Sequence, residues 1–182
     1  MNMKRNHGFT LAELMVTLAV FSILVTVGVP SFNQTLLNNR QVSSLNILVG
    51  SMQLARSEAI ARNRRVTVCA SSDGATCAAD WSNGWVVFVD ANADGQVNGA
   101  EVVLRSVNDI ANLDIAPAGI ANNFMYRPNG RMMTNNNIRT NTGQFTVCDI
   151  RGSDYARSIV VDSSGRPRAS KYNLDGSAPV CP

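Results

Sequence analysis

Residues 9–29 form a run of 21 positions with a single charged side chain, Glu13, and Lys4 and Arg5 stand just ahead of it. At about 1.5 Å of rise per residue, a helix of this length covers roughly 31 Å, a bilayer's hydrocarbon thickness. No basic cluster follows the run, so the positive-inside rule predicts a cytoplasmic N-terminus with the rest of the chain outside the cytoplasm. A cleavable secretory signal needs an A-x-A-like site after its apolar stretch. Here the run ends in VGVP and continues SFNQ, a poor site. Glu13 also speaks against an idle anchor, because a carboxylate inside a membrane helix costs about 2.5 to 3.5 kcal/mol on insertion scales.

A short basic leader ending in Gly8, followed by Phe9, Thr10, Leu11, Glu13 and a long apolar helix, resembles the class III leader of type IV pilins. The resemblance implies that a prepilin peptidase cuts between Gly8 and Phe9 and methylates the new amine of Phe9. It also implies that Glu13, fifth in the mature chain, pairs with a neighbouring subunit's N-terminal amine during assembly. In a low-dielectric filament core such charges attract strongly in register, and either one alone is costly. The expected organisation is a cleaved leader (1–8), a transmembrane and filament-core helix (9–29), its amphipathic continuation (30–62) and a β-rich head (63–182). The expected location is the inner membrane with a periplasmic head, then a pilus or pseudopilus at the cell surface.

Pro30 follows the apolar run, but amphipathic spacing resumes beyond it, which predicts a kink and not a stop. Leu45, Leu48, Val49, Met52, Ala55 and Ala59 recur at three- and four-residue steps and make one apolar stripe for a sheet to cover. The remainder reads as short strands at 66–70, 84–90, 102–106, 124–126, 145–148, 158–162 and 166–170, with the polar run 129–141 as a long loop. One long helix on an antiparallel β-sheet makes the fold class α+β, and the length beyond the helix suits one head domain.

Cys69, Cys77, Cys148 and Cys181 are an even set in a domain expected outside the cytoplasm, so disulfides are predicted. Three pairings exist, and local closure favours Cys69–Cys77 and Cys148–Cys181. A four-thiolate zinc site lacks the close C-x-x-C pairs that such sites use. The sole histidine, His7, lies in the leader, so the mature chain loses the commonest general base and metal ligand. With no G-x-S-x-G, H-E-x-x-H or G-x-x-x-x-G-K motif in the chain, the chain is read as a non-enzyme that requires no cofactor.

QLARSEAIARNRRVTVC, WSNGWVVFVDANADG and EVVLR, followed by FMYRPNGR, FTVC and SIVVDSSGRPR, resemble the FimT/FimU minor pilins of type IV pili and the GspH pseudopilins of type II secretion. The resemblance implies a type IV pilin-like fold and partnership with other pilins or pseudopilins. Family members cap or prime filaments, and some FimT-type members bind DNA during natural transformation.

Asp90, Asn92, Asp94, Gly95 and Glu101 match D-x-[DN]-x-[DN]-G-x5-E, the twelve-residue calcium-loop pattern. The flanking WVVFVD and EVVLR alternate as strands where an EF-hand has helices, and Asp, Asn and Gly also serve tight β connections. Two readings stay open, a turn without metal and a hairpin that binds Ca²⁺ through Asp90, Asn92, Asp94 and Glu101.

Residues 9–119 carry a net charge of −3 and residues 120–182 a net +4, almost all of the latter cations being arginine. Arginine favours bidentate phosphate contacts. In SSGRPRAS, Arg166 and Arg168 stand two apart, so an extended strand points both to one side, with Gly165 at a turn and Pro167 suited to an exposed edge. The Gly-Arg-x-Arg pattern is similar to the DNA-binding element of FimT-type pilins. That resemblance gives Gly165, Arg166 and Arg168 the contact to double-stranded DNA, without sequence specificity. Arg127, Arg131, Arg139, Arg151, Arg157 and Lys171 are supporting candidates. The competing reading is a solvated sheet edge in a purely structural subunit, its charges discouraging edge-to-edge aggregation.

Overall fold

A computed structural model describes residues 8–99, 101–108, 110, 113–134 and 141–182. Lys4, Arg5, His7 and Arg139 lie outside the described residues. The chain divides into two compact units, Met1–Arg40 and Gln41–Pro182, and the one α-helix among the described residues, α1 (Leu11–Arg62), contributes to both.

In the first unit the helix opens with reciprocal bonds. The Glu13 N–H donates to Thr10 Oγ1 at 3.2 Å, and Glu13 Oε2 accepts from the Thr10 N–H and hydroxyl, each at 3.2 Å. This is a capping box, which satisfies two of the donors a helix start leaves open. The hydroxyls of Thr17, Ser22 and Thr26 donate back to carbonyls three or four residues earlier, so the polar groups of the apolar stretch find partners on their own helix. That stretch is long and apolar enough to cross a membrane and is unburied by the rest of the chain. The helix continues through Pro30.

The second unit begins where Gln41 becomes buried. Its Nε2 donates to the carbonyls of Val147 at 3.2 Å and Tyr155 at 2.9 Å. From there the helical stripe is covered: Leu45, Leu48, Met52, Ala55 and Ala59 are at most 4 % exposed, and Val49 packs at the margin. The two alanines leave room for close approach of the strands.

The strands are β1 (Val66–Ala70), β2 (Gly84–Val89), β3 (Val103–Asn108), β4 (Asp114–Ala118), β5 (Asn123–Tyr126), β6 (Met132–Thr134), β7 (Gly143–Cys148), β8 (Arg157–Val161) and β9 (Pro167–Ser170). Where the sequence predicts a single sheet, they form two, ordered β3-β2-β1-β5-β6 and β4-β7-β8-β9, with every pairing antiparallel. Strands β4 and β6 are additions to the expected set. Pro117 sits in β4, an edge strand with β7 as its sole neighbour, where a missing N–H is tolerated. Strand β6 lies inside the polar run and buries Met132, Met133 and Thr134.

Both sheets share one core with the helix. Trp81 joins them, stacked 5.9 Å from Phe124 of β5 and edge-on at 4.8 Å to Phe145 of β7. Its Nε1 donates to the Ala121 carbonyl, and Trp85 Nε1 donates to Ser51 Oγ at 2.9 Å, so neither buried indole lacks an acceptor. The disulfides are Cys69–Cys77 and Cys148–Cys181. The second ties the C-terminal tail to β7, along which Leu174 N–H also donates to Gln144 Oε1.

Candidate functional site

Strand β8 leaves its sheet at Asp162 through a tight turn closed by Gly165 N–H onto the Asp162 carbonyl at 2.9 Å. The Asp162 carboxylate accepts from the Ser164 hydroxyl and N–H. These bonds, the Arg166 N–H and the charge of Arg168 hold Asp162 below the usual carboxylate range. Gly165 adopts φ +75° and is buried, and a Cβ there would come within 2.3 Å of the Gly130 carbonyl oxygen. Only glycine fits.

After Gly165 the chain enters β9, the edge of its sheet, with Pro167 opposite Val161 and Arg168 opposite Val160. Arg166 and Arg168 are exposed while Pro167 between them is buried, the alternation a strand imposes. Pro167 sits on the edge strand as expected, where its missing N–H goes unneeded, and it is itself buried. Among the described residues, the ion pairs are Arg62–Glu58 and Arg151–Asp149, so neither Arg166, Arg168 nor Lys171 is tied to a carboxylate within 4 Å. Lys171 is exposed at the end of β9.

The Gly130 carbonyl that meets Gly165 belongs to the β5–β6 turn, closed by Gly130 N–H onto Arg127 O at 2.8 Å and Arg127 N–H onto Arg131 O at 3.0 Å. A Cβ on Gly165 would lie 3.2 Å from the Arg131 Cα, so the fold brings exposed Arg131 beside Arg166. Arg56 reaches the same turn from α1, its Nε donating to the Gly130 carbonyl at 2.9 Å. Nothing in local sequence marks Arg56 for this place, because the contact spans 74 residues.

The remaining candidates separate. Arg151 is withdrawn from the interface: its side chain is 7 % exposed, it pairs with Asp149 at 2.5 Å, and its guanidinium lies 4.2 Å over the Tyr155 ring. Burial with a carboxylate and a ring spends the donors a phosphate would need. Arg127 Nη2 rests on Met133 Sδ and Arg157 Nη1 on the Ala156 carbonyl, both half-buried. The geometry therefore gathers Arg131, Arg166, Arg168 and Lys171 near one exposed edge.

In the β2–β3 connection, Asp90 is 1 % exposed and its Oδ2 accepts from Thr67 Oγ1 at 2.7 Å and Gly95 N–H at 3.0 Å. Asn92 Oδ1 accepts the Asp94 N–H, Asp94 Oδ1 the Gln96 N–H, and Glu101 the N–H groups of Ala91 and Asn98. The bond from Gln96 is the main reason the Asp94 carboxyl lies below its ordinary range. Among the described residues no three of His, Cys, Asp and Glu converge into a metal cluster.

The family model described as type II transport protein GspH matches residues 45–165, and the prokaryotic N-terminal methylation motif matches residues 3–29. Among solved structures, the fold is similar to the type IV minor pilin FimU of Pseudomonas aeruginosa in two crystal forms. One is 23 % identical with a TM-score of 0.58, covering 78 % of this chain and 93 % of that one. The other is 22 % identical with a TM-score of 0.56, covering 75 % and 95 %. No curated protein matches the chain.

Proposed function

The chain belongs to the family of the type II transport protein GspH, a type IV pilin-like group of minor pilins and pseudopilins, and from that premise we propose that it is a filament subunit whose head binds double-stranded DNA. The observation that carries this reading is the pair of exposed arginines, Arg166 just ahead of the edge strand β9 and Arg168 within it, separated by the buried Pro167 and, among the described residues, without ion-pair partners. Two such forks side by side suit neighbouring phosphates, and Arg131 and Lys171 extend the patch. Gly165 acts by packing: it seats the turn against Gly130 and so fixes where the arginines emerge. Because phosphates carry no base identity, binding is without sequence preference.

At the other end, the methylation motif supports cleavage between Gly8 and Phe9 with methylation of Phe9 by a prepilin peptidase. Glu13, capped onto Thr10 in the single chain, then exchanges that local partner for the Phe9 amine of a neighbouring subunit. The apolar half of α1 resides in the inner membrane before assembly and in the filament afterwards.

Full-length protein in detergent micelles, titrated onto labelled duplex DNA, tests the DNA reading. We expect a dissociation constant of roughly micromolar or weaker and a log-log salt slope of about −2 to −4, since so small a patch neutralises few phosphates. Arg166→Gln with Arg168→Gln removes most of the binding and leaves the thermal midpoint in place. No wild-type binding at ~50 mM salt, or equal binding by the double variant, sinks it. Those outcomes return the chain to the second reading, a purely structural subunit that either primes a pilus or serves as a type II secretion pseudopilin. That reading is favoured by Asp162, whose carboxylate feels the charge of Arg168 and offsets part of the patch's own.

A further inference from the structure

We propose that the β2–β3 connection, residues 90–101, is a calcium site of the head, independent of any DNA contact. The starting observation is a buried defect. Asp90 is 1 % exposed, its Oδ2 accepts from Thr67 and Gly95, and its Oδ1 has no hydrogen-bond partner among the described residues. A buried carboxylate oxygen left bare is costly. The bond from Gly95 N–H, five residues on, holds this carboxylate against the loop.

The loop around it supplies oxygen donors at the spacing that hard cations use. Counting Asp90 as the first position, Asn92 is third, Asp94 fifth, Gly95 sixth, the Gln96 carbonyl seventh and Glu101 twelfth, the order of side-chain and main-chain ligands in twelve-residue calcium loops. The sharp turn that order requires is present, with Gly95 at φ +76° and Ala93, a non-glycine residue, at φ +64°. Glu101 is already folded back to the loop's start, its Oε1 accepting from Ala91 N–H at 2.9 Å. The carboxylates are not yet converged: Asp94 Oδ2 is turned onto the side-chain amides of Asn92 at 2.8 Å and Asn98 at 2.6 Å. Those two N–H donors stand where positive charge is wanted, and ion binding exchanges them for the cation while giving Asp90 Oδ1 its partner.

Charge sets the expected strength. Asp90, Asp94 and Glu101 give the loop three negative charges, and Arg64 and Arg65 border the adjoining cleft of about 270 Å³ that Asp90 also lines, leaving a net near −1. A loop so weakly charged belongs with extracellular modules, whose dissociation constants run about 10⁻⁴ to 10⁻³ M. Magnesium, which demands near-octahedral geometry and dehydrates reluctantly, fits an irregular set of this kind poorly. Gly95 also accepts from Asn123 Nδ2 of β5 at 3.0 Å, so the ion would fasten the edge hairpin to the sheet.

Full-length protein in detergent, stripped with a chelator, is titrated calorimetrically with calcium chloride and with magnesium chloride, and melted in each. At ~10 mM calcium the thermal midpoint should rise by about 3 to 6 °C, the shift that a dissociation constant near ~1 mM gives a head of this size. Glu101→Gln and Asp94→Asn, both substitutions outside the core, should abolish the shift and the heat. Asp73→Asn, at a carboxylate already saturated by Ala75, Thr76 and Ser71, should leave both intact. Absence of heat and shift in the wild type overturns the proposal, as does an equal response to magnesium, retention of calcium binding in Glu101→Gln, or its loss in Asp73→Asn.

Discussion

The two halves of α1 have similar helical backbones and opposite surroundings. On the first half Phe21 is 62 % and Leu24 65 % exposed, whereas after Gln41 the residues Leu48, Met52 and Ala55 are fully buried. Between Leu11 and Val29 the helix is predominantly apolar on all sides, whereas the second half is apolar along a stripe because one sheet-covered core receives it. Helical propensity does not distinguish them. Burial does, and the change comes at Gln41, whose amide is fixed to Val147 and Tyr155 beside the Asp149–Arg151 pair and the Cys148–Cys181 link.

The contrast predicts unequal answers to one kind of substitution. Met52→Ala should destabilise the head by about 2 to 5 kcal/mol, and Leu24→Ala should move it by less than ~0.5 kcal/mol. Thermal melts of the full chain in detergent measure both, and a comparable loss from Leu24→Ala breaks the comparison.

A smaller effect sharpens the boundary near Gln41. The hydrogen bonds from Arg151 hold the Asp149 carboxyl below its ordinary range, so its contribution is present above the unfolded value near ~3.9 and fades as pH falls through the folded one. Asp149→Asn should cost about 3 kcal/mol at neutral pH, leaving a buried guanidinium without its counter-charge. The difference from wild type should shrink below about pH 4. A cost that persists unchanged into acid would mean that packing, and not charge, is what the pair supplies.

Smallest is Ser51→Ala. It removes the acceptor of the Trp85 indole N–H and should cost about 1 to 3 kcal/mol, the penalty for a buried unsatisfied donor. Trp85 fluorescence and the thermal midpoint should change together; a neutral result would place water at the indole.

Much of this was legible from spacing alone. The three- and four-residue stripe of Leu45, Leu48, Met52, Ala55 and Ala59 marks the covered face, and the i, i+2 step of Arg166 and Arg168 marks two exposed positions flanking a buried one. What escaped depended on partners distant in sequence or on local bonding with two meanings. Strand β6 hides in a polar run because Met132, Met133 and Thr134 are three residues long, too short for periodicity to register. Arg151 looked like any surface cation, although Asp149 two residues earlier and Tyr155 four later were the clue to its burial. Thr10-x-x-Glu13 is a capping pattern as well as an acid in an apolar segment. In an apolar context charge is the louder signal, and the cap is hidden behind it. The partition into two sheets required knowing that Trp81 would stand between Phe124 and Phe145, a contact no window of residues contains.

The Cys148–Cys181 link has a mechanical consequence. Strands β8 and β9, with both exposed arginines, lie inside the covalent loop it closes, 33 residues around. Tension applied at Arg166 or Arg168 therefore travels by two routes. One runs back along the chain through β8, and the other runs forward through the tail and across the sulfur bridge into β7. An edge strand opened by such a pull would therefore still be tethered on both sides, through β8 on one and through the bridge to β7 on the other.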